Sequence, residues 1–140
     1  MDKVKANERL NQIETEAKEL RKLINSNGKI TDRVKSYEDA CDVLGISRKI
    51  FKGTRDEIAY KKLKVIVRAL NEGWTPDFSN YDQYKYEPYF KLEKTGFVYF
   101  YYLTWSYVIT SPTSLLFETS EKAQYAGNQF LSIYKDLHNL

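Results

Sequence analysis

FVYFYYLTWSYVI, residues 97–109, is a run without charge, proline or glycine. Aromatic and β-branched side chains dominate it, which favours a strand. It is also shorter than the ~18 residues that a membrane-spanning helix needs. Side chains on a strand alternate between its two faces. Phe97, Tyr99, Tyr101, Leu103, Trp105, Tyr107 and Ile109 would share one face, which is wholly apolar or aromatic. Val98, Phe100, Tyr102, Thr104, Ser106, Val108 and Thr110 would share the other, which turns polar along its length, as in a strand running out from under a cover. Flanking strands are expected at about 89–93 and 114–118, giving a small antiparallel sheet of about three strands.

Upstream, the aromatics continue where the backbone pattern is that of a loop. Thr75-Pro76-Asp77, Ser79-Asn80 and Glu87-Pro88 are turn formers. Between them stand Trp74, Phe78, Tyr81, Tyr84, Tyr86 and Tyr89. Fourteen of the 21 aromatic residues fall between Trp74 and Tyr107. Loops are ordinarily polar, and tyrosine suits half-wet interfaces. These six residues are therefore the candidate partner-binding set.

Helices account for the rest. In residues 3–25, Ala6, Leu10, Ile13, Ala17, Leu20 and Ile24 repeat at alternating spacings of four and three, a heptad seam. With Leu10, Ala17 and Ile24 at a, a parallel partner would set Arg9 against Glu14 and Glu16 against Arg21, both attractive. Leu10, Ile13, Ala17, Leu20 and Ile24 form the candidate oligomer seam. Docking of so short a stripe on its own domain is the alternative. A second helix starts after Ser36 and stops at Gly45. A third follows Thr54, burying Ala59, Leu63, Ile66, Val67 and Leu70. A last helix over about 121–138 buries Ala123, Ala126, Phe130, Ile133 and Leu137, and Gly127 inside it points to close packing on the sheet. The fold class is α+β, with residues 1–28 a heptad helix and 29–140 a single domain.

Composition removes several functions. One histidine, His138, and one cysteine, Cys41, cannot supply a zinc site. His138 lies two residues from the end, a poor place for a catalytic base. The glycines are isolated and form no phosphate loop. Neither catalytic residues, metal, cofactor, small-molecule substrate nor membrane partner is expected, and the N-terminus lacks the apolar stretch of a signal peptide. Net charge is only +3, but residues 48–73 hold eight basic side chains against three acidic ones. Arg48, Lys49, Lys52, Lys61, Lys64 and Arg68 are candidate nucleic-acid contacts, cations beside stacking rings being the pattern used for single strands. A solvated helix face, or a surface for an acidic protein, are the other readings. SYEDACDVLGISRKIF (36–51) has the small residue and turn glycine of a helix-turn-helix, but Gly53-Thr54 cuts its second helix short.

ALNEGWTPDF (69–78), YKYEPYF (84–90) and FETSEKAQYAGNQF (117–130), with SYEDACDVLGI ahead of them, resemble a family of small proteins without an established activity. Bacteroidetes and other gut bacteria encode it, as do their phages and mobile elements. The resemblance covers about 31–140. It departs at Phe78 and Tyr89, where members often have tryptophan, and leaves out the heptad helix. It implies a phage or mobile-element product in the bacterial cytoplasm or a virion. The expected function is non-enzymatic: binding a protein partner, a virion component or a host defence or replication factor. A homo-oligomer formed through residues 3–25 is expected as well.

Overall fold

The computed structural model describes residues 2–26 and 28–140, and the side chains of 21–27 lie outside that description. Two strands, β1 (Lys85–Glu93) and β2 (Gly96–Trp105), pair antiparallel as a hairpin. The turn is short, and Gly96 sits at φ 133°, where a side chain would be strained. β1 begins four residues earlier than expected, and β2 ends at Trp105 instead of Ile109.

The expected third strand is absent, so the sheet has two strands among the described residues. Thr113–Leu115 form a 3-10 turn after Pro112. Only Phe117 reaches the sheet, exchanging backbone hydrogen bonds of 3.0 and 2.7 Å with Tyr86. The polar groups beside it bond elsewhere. Buried Asn71 donates through Nδ2 to the Leu116 carbonyl (2.8 Å) and accepts the Glu118 amide on Oδ1 (3.1 Å). Those two groups lie on the edge facing away from Tyr86. Towards β1 the next residue able to bond, Leu115, would stand opposite Pro88, which has no N–H. Leu115 donates its amide to the Pro112 carbonyl instead (2.9 Å).

β2 also departs from simple alternation. Tyr89 pairs with Tyr101 and Phe90 with Tyr99, so Phe100 is an extra residue, a β-bulge. Phe97, Tyr99, Tyr102 and Thr104 then lie across from Leu92, Phe90, Pro88 and Tyr86 on one face. Tyr101, Leu103 and Trp105 turn to the other. The single apolar face expected over 97–109 is split at Phe100.

Six helices among the described residues complete the order. α1 (Lys3–Ser26) and α2 (Ile30–Arg33) precede α3 (Tyr37–Leu44) and α4 (Arg55–Leu70), and α5 (Ser120–Gln129) and α6 (Leu131–Leu137) follow the hairpin. Ser36 caps α3 by accepting the Asp39 amide at 3.0 Å, and Gly45 ends it in the left-handed region at φ 68°. Tyr37 donates to the Lys49 carbonyl at 2.7 Å, and burial pushes its phenol up to about 12. Thr54 precedes α4 but its side chain accepts no amide of the first turn, and its hydroxyl donates to Asp56 Oδ1 at 2.7 Å. α4 lies at the centre of the core, packed by α3 and α6. The expected last helix is broken at Phe130 (φ −109°, ψ 28°), whose ring stays buried. α5 lies on the hairpin, with Gly127 against Tyr99 and Pro88.

Candidate functional site

The aromatic loop is built around one buried cation. Lys85 is fully buried, and its Nζ donates to the carbonyls of Asp77 (2.6 Å), Gln83 (2.8 Å) and Ser106 (2.8 Å), with Asn80 at 3.4 Å. The Phe78 ring covers it, centroid at 4.7 Å. Three ammonium protons thus meet three near carbonyls and an aromatic face. Short polar side chains fold the loop to fit. Asp77 Oδ1 accepts the Ser79 amide (2.9 Å) and hydroxyl (2.6 Å), and Asn80 Oδ1 accepts the Asp82 amide (3.0 Å). The Ser79 bonds, and secondarily the Lys85 charge, hold the Asp77 carboxyl below its ordinary range.

This frame divides the six candidate aromatics. Phe78 is half-buried over Lys85, and Trp74 is half-buried at the loop entrance. Tyr81 and Tyr84 are exposed. Tyr81 packs on exposed Tyr107, ring centroids 5.4 Å apart. Tyr86 and Tyr89 are half-buried residues of β1, not of the loop. Tyr86 packs on the core, and Tyr89 meets Phe100 edge-on at 5.2 Å. Phe100 and Tyr101 of β2 are exposed as well. No residue of β2 is buried, none carries a charge, and the strand is paired on one edge only among the described residues. An unpaired edge of that kind is an offer of backbone hydrogen bonds. Sequence reasoning did not select Phe100 and Tyr101, because unbroken alternation would have placed them on opposite faces.

The heptad seam is open. Leu10, Ile13 and Leu20 are 52%, 49% and 59% exposed and Ala17 is half-buried. Among the described residues no other element packs along α1. Docking of this stripe on its own domain is therefore not seen. Ile24 lies outside the described side chains.

The basic set is divided too. Arg48 forks onto Asp42, its Nε at 3.1 Å from Oδ1, in an irregular segment that follows Gly45. No second helix stands at 46–53, where a helix-turn-helix would need one. Lys49 and Lys52 are exposed in the same segment, and Lys61 Nζ lies 3.4 Å from the Lys52 carbonyl. Lys61, Lys64 and Arg68 are exposed along one face of α4, and Lys64 stands over the half-buried Tyr60 ring at 5.5 Å. Glu72, the acidic residue one turn beyond Arg68, pairs instead with Lys122 at 3.5 Å.

Cys41 is buried, and His138 rests near the Phe90 and Phe97 rings. Among the described residues no cluster of three metal-ligating side chains occurs, and no helix is long and apolar enough to cross a membrane. Compared with protein-family models, curated proteins and solved structures, the chain matches none.

Proposed function

We propose that this chain is a non-enzymatic interaction protein of phage or mobile-element origin. It self-associates through α1 and holds a protein partner, a virion component or a host defence or replication factor, on its aromatic hairpin and loop. The observation that carries this reading is α1, a helix about 36 Å long by its rise per residue whose apolar seam stands open at Leu10, Ile13 and Leu20. Charge favours a parallel pair of copies. Arg9 faces Glu14 and Glu16 faces Arg21 in that arrangement. An antiparallel pair in full overlap, with Ala17 layered on Ile13, would set Glu16 on Glu16 and Glu14 on Glu14, both repulsive. The motifs quoted above support the origin, and the charge-free, half-open β2 supports the partner surface. In light scattering, the wild type is expected at no less than twice its 16.5 kDa chain mass. The pair Leu10→Asp and Leu20→Asp returns it to the single-chain mass. A wild type of single-chain mass overturns self-association.

The exposed face of Lys61, Lys64 and Arg68 beside Tyr60 supports a second reading, binding of single-stranded nucleic acid. It expects affinity that falls steeply with salt and by about tenfold or more when the three are changed to glutamate. Flat salt dependence in a fluorescence-anisotropy titration removes it.

A further inference from the structure

Between β1, the segment after β2 and α6 lies a cleft of about 350 Å³. Pro88, Phe90, Leu115 and Leu137 give it apolar walls. Two of the side chains lining it are polar and more than nine-tenths buried: Glu87 (7% exposed) and Tyr134 (4%). Among the described residues neither Glu87 Oε2 nor the Tyr134 hydroxyl has a hydrogen-bond partner. The other Glu87 oxygen accepts from Thr110 Oγ1 at 3.0 Å. Among the described residues no cation answers this carboxylate. Lys85, two residues back on the strand, is held by carbonyls, and Lys91 pairs with Glu93 at 2.8 Å. His138, exposed, is the remaining titratable side chain of the lining. Burial above all, then the charge of Glu87, pushes the Tyr134 phenol far above its ordinary value, so it stays neutral.

A buried polar atom left unpaired forfeits its hydration without return, and the loss is greater when the atom is charged. In one apolar cleft, among the described residues, Glu87 Oε2 thus lacks a donor or positive charge, and the neutral Tyr134 hydroxyl, able to donate or accept, lacks any partner. We infer that the cleft takes a primary ammonium group on a short alkyl arm, with Glu87 as counter-ion, the Tyr134 oxygen as acceptor and the arm lying on Phe90, Leu115 and Leu137. Two sources share this chemistry, a lysine side chain of a protein partner and a free alkylamine. The inference is independent of α1 and would survive a wild type of single-chain mass.

The test is a titration of the full chain with n-butylammonium chloride, followed by NMR shifts at Thr110, Ser111 and Tyr134. Saturable binding is expected, weakened about tenfold or more by Glu87→Gln and several-fold by Tyr134→Phe. Sodium butyrate, of matching shape and opposite charge, should give no saturable shift. Both variants should be at least as stable as wild type. Among the described residues, Glu87→Gln removes a buried charge with no counter-ion and Tyr134→Phe removes a buried hydroxyl with no partner. A merely structural role for these residues predicts loss of stability instead. Equal binding by Glu87→Gln, or butyrate binding as tightly as butylammonium, overturns the inference. So does the absence of any saturable shift, as for a cleft that holds only water. If Glu87→Gln fails to fold, Tyr134→Phe decides alone, and undiminished affinity in it overturns the proposed geometry. Nα-acetyl-lysine methylamide separates the sources: binding equal to that of butylammonium assigns the site to a protein lysine, and exclusion assigns it to a free amine.

Discussion

Lys85→Met should lower stability by about 3 kcal/mol, because three backbone carbonyls lose a hydrogen bond to a charged group, each worth about 1.5–3 kcal/mol, against which stands the relief of desolvating the ammonium. Methionine ends at Cε, one atom short of the lysine Nζ, and keeps the stem of the side chain filled, so the loss reports on the ammonium itself. Without it, the carbonyls of Asp77, Gln83 and Ser106 face each other with no donor between them. Their remedy is to turn outward to water, which unwinds the loop and releases Phe78 from its seat. Urea denaturation would read the stability, and limited proteolysis would show faster cutting within 75–84. Lys85→Arg should not rescue, because a planar guanidinium cannot place its donors as an ammonium does. An unchanged urea midpoint in Lys85→Met would mean that desolvating the cation cancels all that the carbonyls return.

Gly127 gives the second large effect, and its sign runs against helix propensity. In an open helix, glycine to alanine gains about 1 kcal/mol. Here a Cβ would stand 2.6 Å from Tyr99 Cδ2 and 2.9 Å from Pro88 Cβ. Pro88 is ring-locked within β1, and Tyr99 is wedged on the packed face of β2, so neither yields easily. Overpacking costs about 1–3 kcal/mol. Gly127→Ala should therefore be destabilised by about 1 kcal/mol net, and Gly127→Leu by about 3 kcal/mol or more. A double-mutant cycle isolates the cause: in a Tyr99→Ala background, Gly127→Ala should become neutral or stabilising. A destabilisation that persists there would place the strain on Pro88 alone.

What the sequence makes legible here is what repeats. The buried face of α4 follows from Ala59, Leu63, Ile66, Val67 and Leu70, and the tight contact at Gly127 follows from a glycine inside a helical pattern. The missing third strand is illegible because its cause lies far away in the chain. Leu115, the next residue that could bond β1, would stand opposite Pro88, which has no N–H to give, and it turns its amide to Pro112 instead. Lys85 is hidden for a related reason. A lysine between two tyrosines on a strand reads as an outward, wet position, and the carbonyls that capture it come from residues 77–83 and 106. Glu87 and Tyr134 likewise carry no local pattern, since their shared cleft is assembled from β1, α6 and the segment between β2 and α5. Local periodicity records neighbours along the chain, and each of these features depends on neighbours across it.

The extra residue at Phe100 makes β2 a strand with two phases. Before it, the odd-numbered Phe97 and Tyr99 are on the packed face, and beyond it the even-numbered Tyr102 is, with Thr104 exposed at the end of the same face. Loss of that one residue would put Tyr101, Leu103 and Trp105 inward and turn Tyr102 out, because a single-residue slip reverses every later side chain. Substitution at Phe100, exposed and outside the register, leaves the phase alone. The same position is thus open to change of identity and closed to change of length, and a gap or insertion in a relative aligned there would mark a different aromatic surface, not a trimmed loop.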